Sequence, residues 1–195
     1  MSKPGKSDFK SEGSFRIIVL LETVSKILGR IAASRLASLA KISGLLHPNQ
    51  YSSLANLGRF DAVSTMSHEV RLLQSATLKG STLFLDIKVG SDNVNANQLS
   101  TILLRGKTPR YLVSWVRSFL SQCRCCLIFQ GSPGIFALVA VGTPQGSPIS
   151  PFIFVIYVSG LHLAIPKGLM VSYADDFTIT VASPSYCSSI QRLQR

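Results

Sequence analysis

Two aspartates stand side by side at positions 175 and 176, in a chain with only nine acidic residues among 195. Apolar segments at 169–173 and 177–181 flank Ala174, Asp175 and Asp176. Phe177, Ile179 and Val181 alternate with Thr178 and Thr180, the pattern of a strand with one buried face. The acidic pair is therefore predicted at a hairpin tip. Adjacent carboxylates repel each other, and a turn needs at most one of them. The plainer reading is an Asx turn with a solvated neighbour. The chemical reading is a divalent cation, since Mg²⁺ takes carboxylate and phosphate oxygens and needs few protein ligands. A third carboxylate, Asp86, ends the compact apolar run Thr82-Leu83-Phe84-Leu85 in the stretch 81–89. With the two strands as neighbours in one sheet, three carboxylates converge where the sheet meets solvent. Such a set can hold two metal ions ~3.5–4 Å apart and support in-line displacement at phosphorus.

Residues 142–151 read Gly-Thr-Pro-Gln-Gly-Ser-Pro-Ile-Ser-Pro and lead directly into an apolar helix. Alone, this is a helix entry punctuated by prolines. Beside three carboxylates it becomes a rigid polar loop suited to a template and a nucleotide. Gly146 lets a base or sugar approach the backbone, and Gln145 offers both a donor and an acceptor.

The elements that must hold these residues follow from periodicity. Leu21, Val24, Ile27, Leu28, Ile31 and Leu36 recur at helical spacing over 20–39, with Lys26, Arg30 and Arg35 between them as a solvated face. A second helix is predicted over 61–73, with Val63, Met66, Val70 and Leu73 on one stripe. A third covers 94–104 and stops at Gly106. Thr108 can cap a fourth, with Pro109 in its first turn and Leu112, Val116, Phe119 and Leu120 buried. Residues 126–129 and 135–141 read as a two-stranded hairpin around the Gly131–Gly134 turn. The stretch 148–165 is so uniformly apolar that it must be a buried helix. Helices and strands mixed in this order, with hairpins, argue an α+β fold.

Composition agrees. Apolar residues make up 46% and charged residues 15%, a globular balance. Twenty Lys and Arg against nine Asp and Glu give a net charge of +11, which suits a polyanionic partner because bases neutralise phosphates and release counterions; acidic membrane surfaces or solubility alone would also account for it. Cys123, Cys125, Cys126 and Cys187 lack zinc-site spacing and read as buried free thiols in a reducing compartment. The apolar runs at 17–21 and 151–158 are too short for a signal peptide core or the ~20 residues of a spanning helix. The expectation is a soluble intracellular protein, nuclear or cytoplasmic, with no membrane partner and its oligomeric state open.

The chain resembles the reverse transcriptases of non-LTR, LINE-like retrotransposons. Leu85-Asp86-Ile87-Lys88 is similar to motif A, residues 142–151 to motif B, and Tyr173-Ala174-Asp175-Asp176 to motif C. The wording is nearest to fungal elements, and the likeness extends to Lys3-Pro4-Gly5-Lys6, Ser14-Phe15-Arg16, His47-Pro48-Asn49-Gln50 and Asp92-Asn93-Val94. The resemblance implies a right-hand polymerase, with partial fingers at 1–80 and a partial palm at 81–195, the thumb missing. It implies RNA-directed DNA polymerase activity with deoxynucleoside triphosphates, an RNA template, a DNA primer and Mg²⁺ (or Mn²⁺). By the same resemblance Asp86, Asp175 and Asp176 are catalytic and bind the metals, joined by the backbone carbonyl of Ile87. Gln145 and Gly146 shape the nucleotide and template pocket. Arg16 and Lys88 lie near nucleic acid or phosphates, with ordinary surface charge as the alternative for both.

Departures are equally specific. The family places a bulky aromatic, which blocks a ribose 2′-hydroxyl, where this chain has Ser91. Val89 replaces a small residue, Arg16-Ile17-Ile18 lacks the family's proline, and Asn56 to Asp61 departs from its Gly-Arg-Ser-Thr pattern, so that Arg59 is no sure replacement for the family's Arg. Fourteen residues follow Val181, too few for the rest of the palm and a thumb. These features suggest an incomplete copy, and the alternative to an enzyme is an inactive relic that only binds nucleic acid. A host-recruited interaction domain has no positive support.

Overall fold

The computed structural model describes residues 18–88, 90–121, 123–126, 128–129, 132–164 and 168–194. Arg16, Val89 and the basic lead-in lie outside them. The order is α1 (Thr23–Ser43), α2 (Arg59–Ser75), β1 (Lys79–Asp86), a 3₁₀ turn (Gly90–Asn93), α3 (Ala96–Arg105), α4 (Arg110–Leu120), four short strands, α5 (Ser150–Val158), a second 3₁₀ turn (Ser159–Leu163), β6 (Leu169–Tyr173), β7 (Asp176–Ser183) and α6 (Tyr186–Leu193). The fold is α+β. Its main sheet is antiparallel, in the order β1-β7-β6.

Two clusters make the core. The larger is helical: Leu36 of α1, Leu99 and Leu103 of α3, Leu112 and Val116 of α4, and Phe152, Ile153 and Ile156 of α5. The smaller lies under one face of the sheet, where Met170, Phe177, Ile179 and Val181 pack together. Ile87 packs against both clusters, and so does Val158. The alternation seen in β7 is thus the physical reason the sheet has an inner face. No described helix is long and apolar enough to cross a membrane.

Several local expectations are corrected. The α1 helix forms, yet Val24, Ile27, Leu28 and Ile31 are exposed, and it packs through Leu36 and the small residues Gly29, Ala32 and Ala40, which allow close approach. In α2 only Ala62 is buried, and Val63 and Val70 are exposed. Thr108 does not cap α4. It closes the turn out of α3, its N–H donating to the Leu103 carbonyl (3.0 Å), and Pro109 occupies the cap position without a side-chain bond. The 126–141 hairpin begins earlier: β2 (Cys123–Cys125) pairs with β5 (Ala137–Val139), and β3 (Ile128–Phe129) with β4 (Ser132–Pro133). The apolar 148–165 stretch is α-helical only over Ser150–Val158, and Leu161 and Leu163 beyond it are exposed. The four cysteines are free, but Cys125 and Cys187 are exposed and the other two only half-buried.

Candidate active site

The carboxylates are positioned by register. In the antiparallel β1–β7 pair, Asp86 lies opposite Asp176. In the β6–β7 hairpin, Tyr173 lies opposite Asp176, leaving Ala174 and Asp175 as a two-residue turn. Such turns require a positive φ, and Ala174 takes it at 56°. A left-handed conformation costs a non-glycine residue roughly 1–2 kcal/mol. The surroundings enforce it: the Ile87 N–H donates to the Asp175 carbonyl (3.1 Å), latching the tip onto the end of β1. Phe177, 2% exposed, anchors the next residue in the core.

Strand parity puts Asp86, Phe84 and Thr82 on one face with Asp176, Thr178 and Thr180. The Thr82 and Thr180 hydroxyls are hydrogen-bonded across it (3.0 Å). Helix α2 lies over this face. Between them runs a cleft of about 400 Å³, lined by Ala62, Val63 and Met66 on one side and Phe84, Val171 and Tyr173 on the other, and it takes in Asp86, Asp176 and Arg59. All three aspartates are exposed. Partial burial, then the negative charges of Asp175 and Asp86, push the Asp176 carboxyl above its ordinary pKa. The Asp176 carboxylate is therefore within electrostatic reach of the other two.

The loop at 142–151 is tied to the turn after β1. Thr143 donates from its N–H (2.9 Å) and its hydroxyl (3.3 Å) to the Ser91 carbonyl, and the Gly142 N–H donates to the Val94 carbonyl (2.9 Å). The Gln145 amide donates to the Asp92 carboxylate at 2.8 Å. Gly142 has φ 98°, and a Cβ there would stand 2.7 Å from the Asp92 carbonyl oxygen. The close approach expected at Gly146 is made by the chain itself: a Cβ would meet the Val19 carbonyl at 2.9 Å, and the Val19 N–H donates to the Gln145 carbonyl at 2.8 Å.

The structure thus gathers Asp86, Ile87, Asp175 and Asp176 in one group, and Ser91, Gln145 and Gly146 in an adjoining one. Lys88 is exposed in the turn between them. Sequence reasoning missed Asp92, the partner of Gln145, and left Arg59 unplaced, at the N-terminus of α2 and lining the cleft. It also missed the buried set Gln50, His162 and Ser172. The string at 47–50 was the one available signal for the last.

Among the described residues, no three His, Cys, Asp or Glu side chains are close enough to hold an ion unaided. The oxygen donors present nevertheless fit Mg²⁺, which is commonly held by one or two carboxylates together with substrate phosphates.

A three-stranded antiparallel sheet carrying paired acids at its hairpin tip, with a glycine-rich loop beside it, is the palm of a right-hand polymerase. The chain belongs to the reverse transcriptase (RNA-dependent DNA polymerase) family, whose model matches residues 2–194. Within it the chain is a reverse transcriptase domain of the non-LTR retrotransposon kind. It is 25% identical over 93% of its length to the "probable RNA-directed DNA polymerase from transposon X-element" of Drosophila melanogaster. It is 26% identical over 93% to the corresponding protein of transposon BS from the same organism. It spans about a fifth (20%) of each of these relatives. Telomerase from Candida albicans, solved with a TWJ fragment of telomeric RNA, shares the fold (TM-score 0.60, 14% identity, 89% of this chain and 32% of that one). Apo telomerase from Candida tropicalis does too (TM-score 0.59, 14% identity, 88% and 32%). Enzymes of the family generally use divalent metal ions.

Proposed function

We propose that this chain carries the nucleotidyl-transfer centre of an RNA-directed DNA polymerase, which joins a deoxynucleoside triphosphate to a DNA primer 3′-hydroxyl on an RNA template. The observation that carries the reading is the placement of Asp86 opposite Asp176, with Asp175 in the adjoining turn, at an open cleft. Asp86, Asp175 and Asp176, with the Ile87 carbonyl, would hold Mg²⁺ or Mn²⁺. Bound there, the ion would supply Lewis-acid stabilisation of charge on the phosphate oxygens. Ser91 and Gln145 shape the nucleotide and template pocket, Gly146 lets the loop close against Val19, and Arg16 and Lys88 serve the phosphates. Residues 1–80 act as fingers and 81–195 as palm. The net charge of +11 supports a nucleic-acid partner, as does the telomerase neighbour solved with RNA. The working place is intracellular, nuclear or cytoplasmic.

A second reading, a relic that binds without turnover, is favoured by Ser91, which departs from the family at the sugar-facing position. Primer extension on an RNA template with Mg²⁺ separates the two. Extension that requires template and all four deoxynucleotides supports the enzyme. Binding that weakens steeply with salt, with no extension from folded protein, supports the relic.

A further inference from the structure

Ser172 precedes the Tyr173–Asp176 hairpin residues and is buried, 2% exposed, between two other buried polar side chains, Gln50 (3%) and His162 (7%). The directions of the hydrogen bonds in this set are fixed by elimination. The Gln50 amide nitrogen donates to the Ser52 hydroxyl (3.2 Å), so its carbonyl oxygen faces Ser172 and accepts the Ser172 hydroxyl proton at 2.5 Å. That proton being committed, the 2.8 Å contact between His162 Nε2 and Ser172 Oγ requires an Nε2–H donor. His162 is therefore the neutral Nε2–H tautomer. Its Nδ1 is buried and has no hydrogen-bond partner among the described residues. Burial first, then His47, lowers its pKa to about 4, in keeping with a neutral ring. His47 stacks on it, with centroids 4.4 Å apart and planes 9° from parallel.

The backbone repeats the connection. Gln50 and Ser172 form a parallel bridge, the Tyr51 N–H donates to the Ser172 carbonyl (3.0 Å), and the Ser172 N–H donates to the Asn49 carbonyl (3.0 Å). Three distant stretches meet at one hydroxyl: the 47–52 loop, the 3₁₀ turn that continues α5, and the strand leading into the acidic turn. Helix α5 itself starts from the 142–151 loop. A buried polar chain of this kind holds one arrangement, because any other leaves a desolvated donor or acceptor unpaired.

We propose that Ser172 is a positioning residue, gripped by His162 and Gln50, which sets the hairpin carrying Asp175 and Asp176 relative to the 47–52 loop and the exit of α5. The proposal rests on the catalytic reading of that hairpin, but its structural half is independent of it.

The experiment pairs two readouts on the full chain. Long-range ¹H–¹⁵N NMR should show His162 as the Nε2–H tautomer at neutral pH, and amide exchange at 173–177 should quicken about tenfold in Ser172→Ala while α3, α4 and α5 keep their protection. His162→Gln, whose amide can still donate to Ser172, should restore slow exchange relative to His162→Leu. In single-nucleotide extension, Ser172→Ala should lower kcat about tenfold or more with the nucleotide KM within about twofold of wild type. An Nδ1–H tautomer, uniform loss of protection, or equal behaviour of His162→Gln and His162→Leu overturns the proposal. Wild-type protein that shows the tautomer and exchange pattern but extends nothing sinks the polymerase reading and leaves the grip standing.

Discussion

Ser91 is half-buried in the 3₁₀ turn after β1, its carbonyl engaged by Thr143 and its hydroxyl donating to Asp92 at 3.4 Å. A serine there cannot fill the space of a phenyl ring, so discrimination against a 2′-hydroxyl should be weak. In primer extension this chain should incorporate ribonucleotides within about tenfold of deoxynucleotides, and Ser91→Phe should restore a preference for the latter. Strong rejection of ribonucleotides by active wild type would contradict this. At the same scale, the placement of Asp86, Asp175 and Asp176 at one end of the sheet was legible because acids are so scarce in the chain that three at strand ends stand out. Asp92 was not legible as the partner of Gln145. That contact spans 53 positions, and no local pattern encodes the approach of two loops. Nor does a sequence reveal that the space beside Gly146 is taken by Val19.

Elements place these residues by pressing loops together. Gly142 illustrates it: φ is 98°, and a methyl group would sit within 3.0 Å of three backbone atoms of Asp92. Gly142→Ala should therefore destabilise by about 2 kcal/mol and lower Tm by about 5 °C, since both backbone strain and overlap oppose it. An unchanged thermal melt would show that the two loops are not pinned as described. Strand assignments in the main sheet were legible because β7 alternates strictly and β1 is compactly apolar. The burial of α1 was legible only at Leu36: Val24, Ile27, Leu28 and Ile31 face outward while Gly29, Ala32 and Ala40 face the core beside it, and hydrophobic periodicity gives small residues little weight. Likewise the apolar run after Ile149 says that something is buried, not where an α-helix tightens into a 3₁₀ turn.

Across the whole molecule, two cores are joined at Ile87 and Val158, and buried polar contacts link the loop at 47–52 to the sheet. The order of strands and helices made the α+β class legible and the motif resemblance the palm, whereas the parallel bridge from Gln50 to Ser172, over 122 positions, was beyond any periodicity. That bridge carries a consequence for acid stability. His162 in the folded chain has its pKa lowered to about 4, from 6.5. Between these values the unfolded chain binds a proton that the folded chain refuses, so stability falls as pH drops from 6.5 towards 4 and loses no more from this group below that. At about 1.4 kcal/mol per unit, the full loss is roughly 3 kcal/mol, of which about 2 kcal/mol falls between pH 7 and pH 4.5. Denaturant unfolding at pH 7 and pH 4.5 should show it in wild type and much less of it in His162→Gln; equal slopes would contradict the assignment.

On the proposed reading, the acids at the hairpin tip do the chemistry and are not needed for folding or nucleic-acid binding. Its most direct test compares primer extension by wild type and by Asp175→Asn with Asp176→Asn, on an RNA template in Mg²⁺ at matched template–primer occupancy. Extension should fall about a thousandfold or more, with binding and Tm nearly unchanged. A double variant that extends within about tenfold of wild type would contradict it, and the site would have to be sought elsewhere in the molecule.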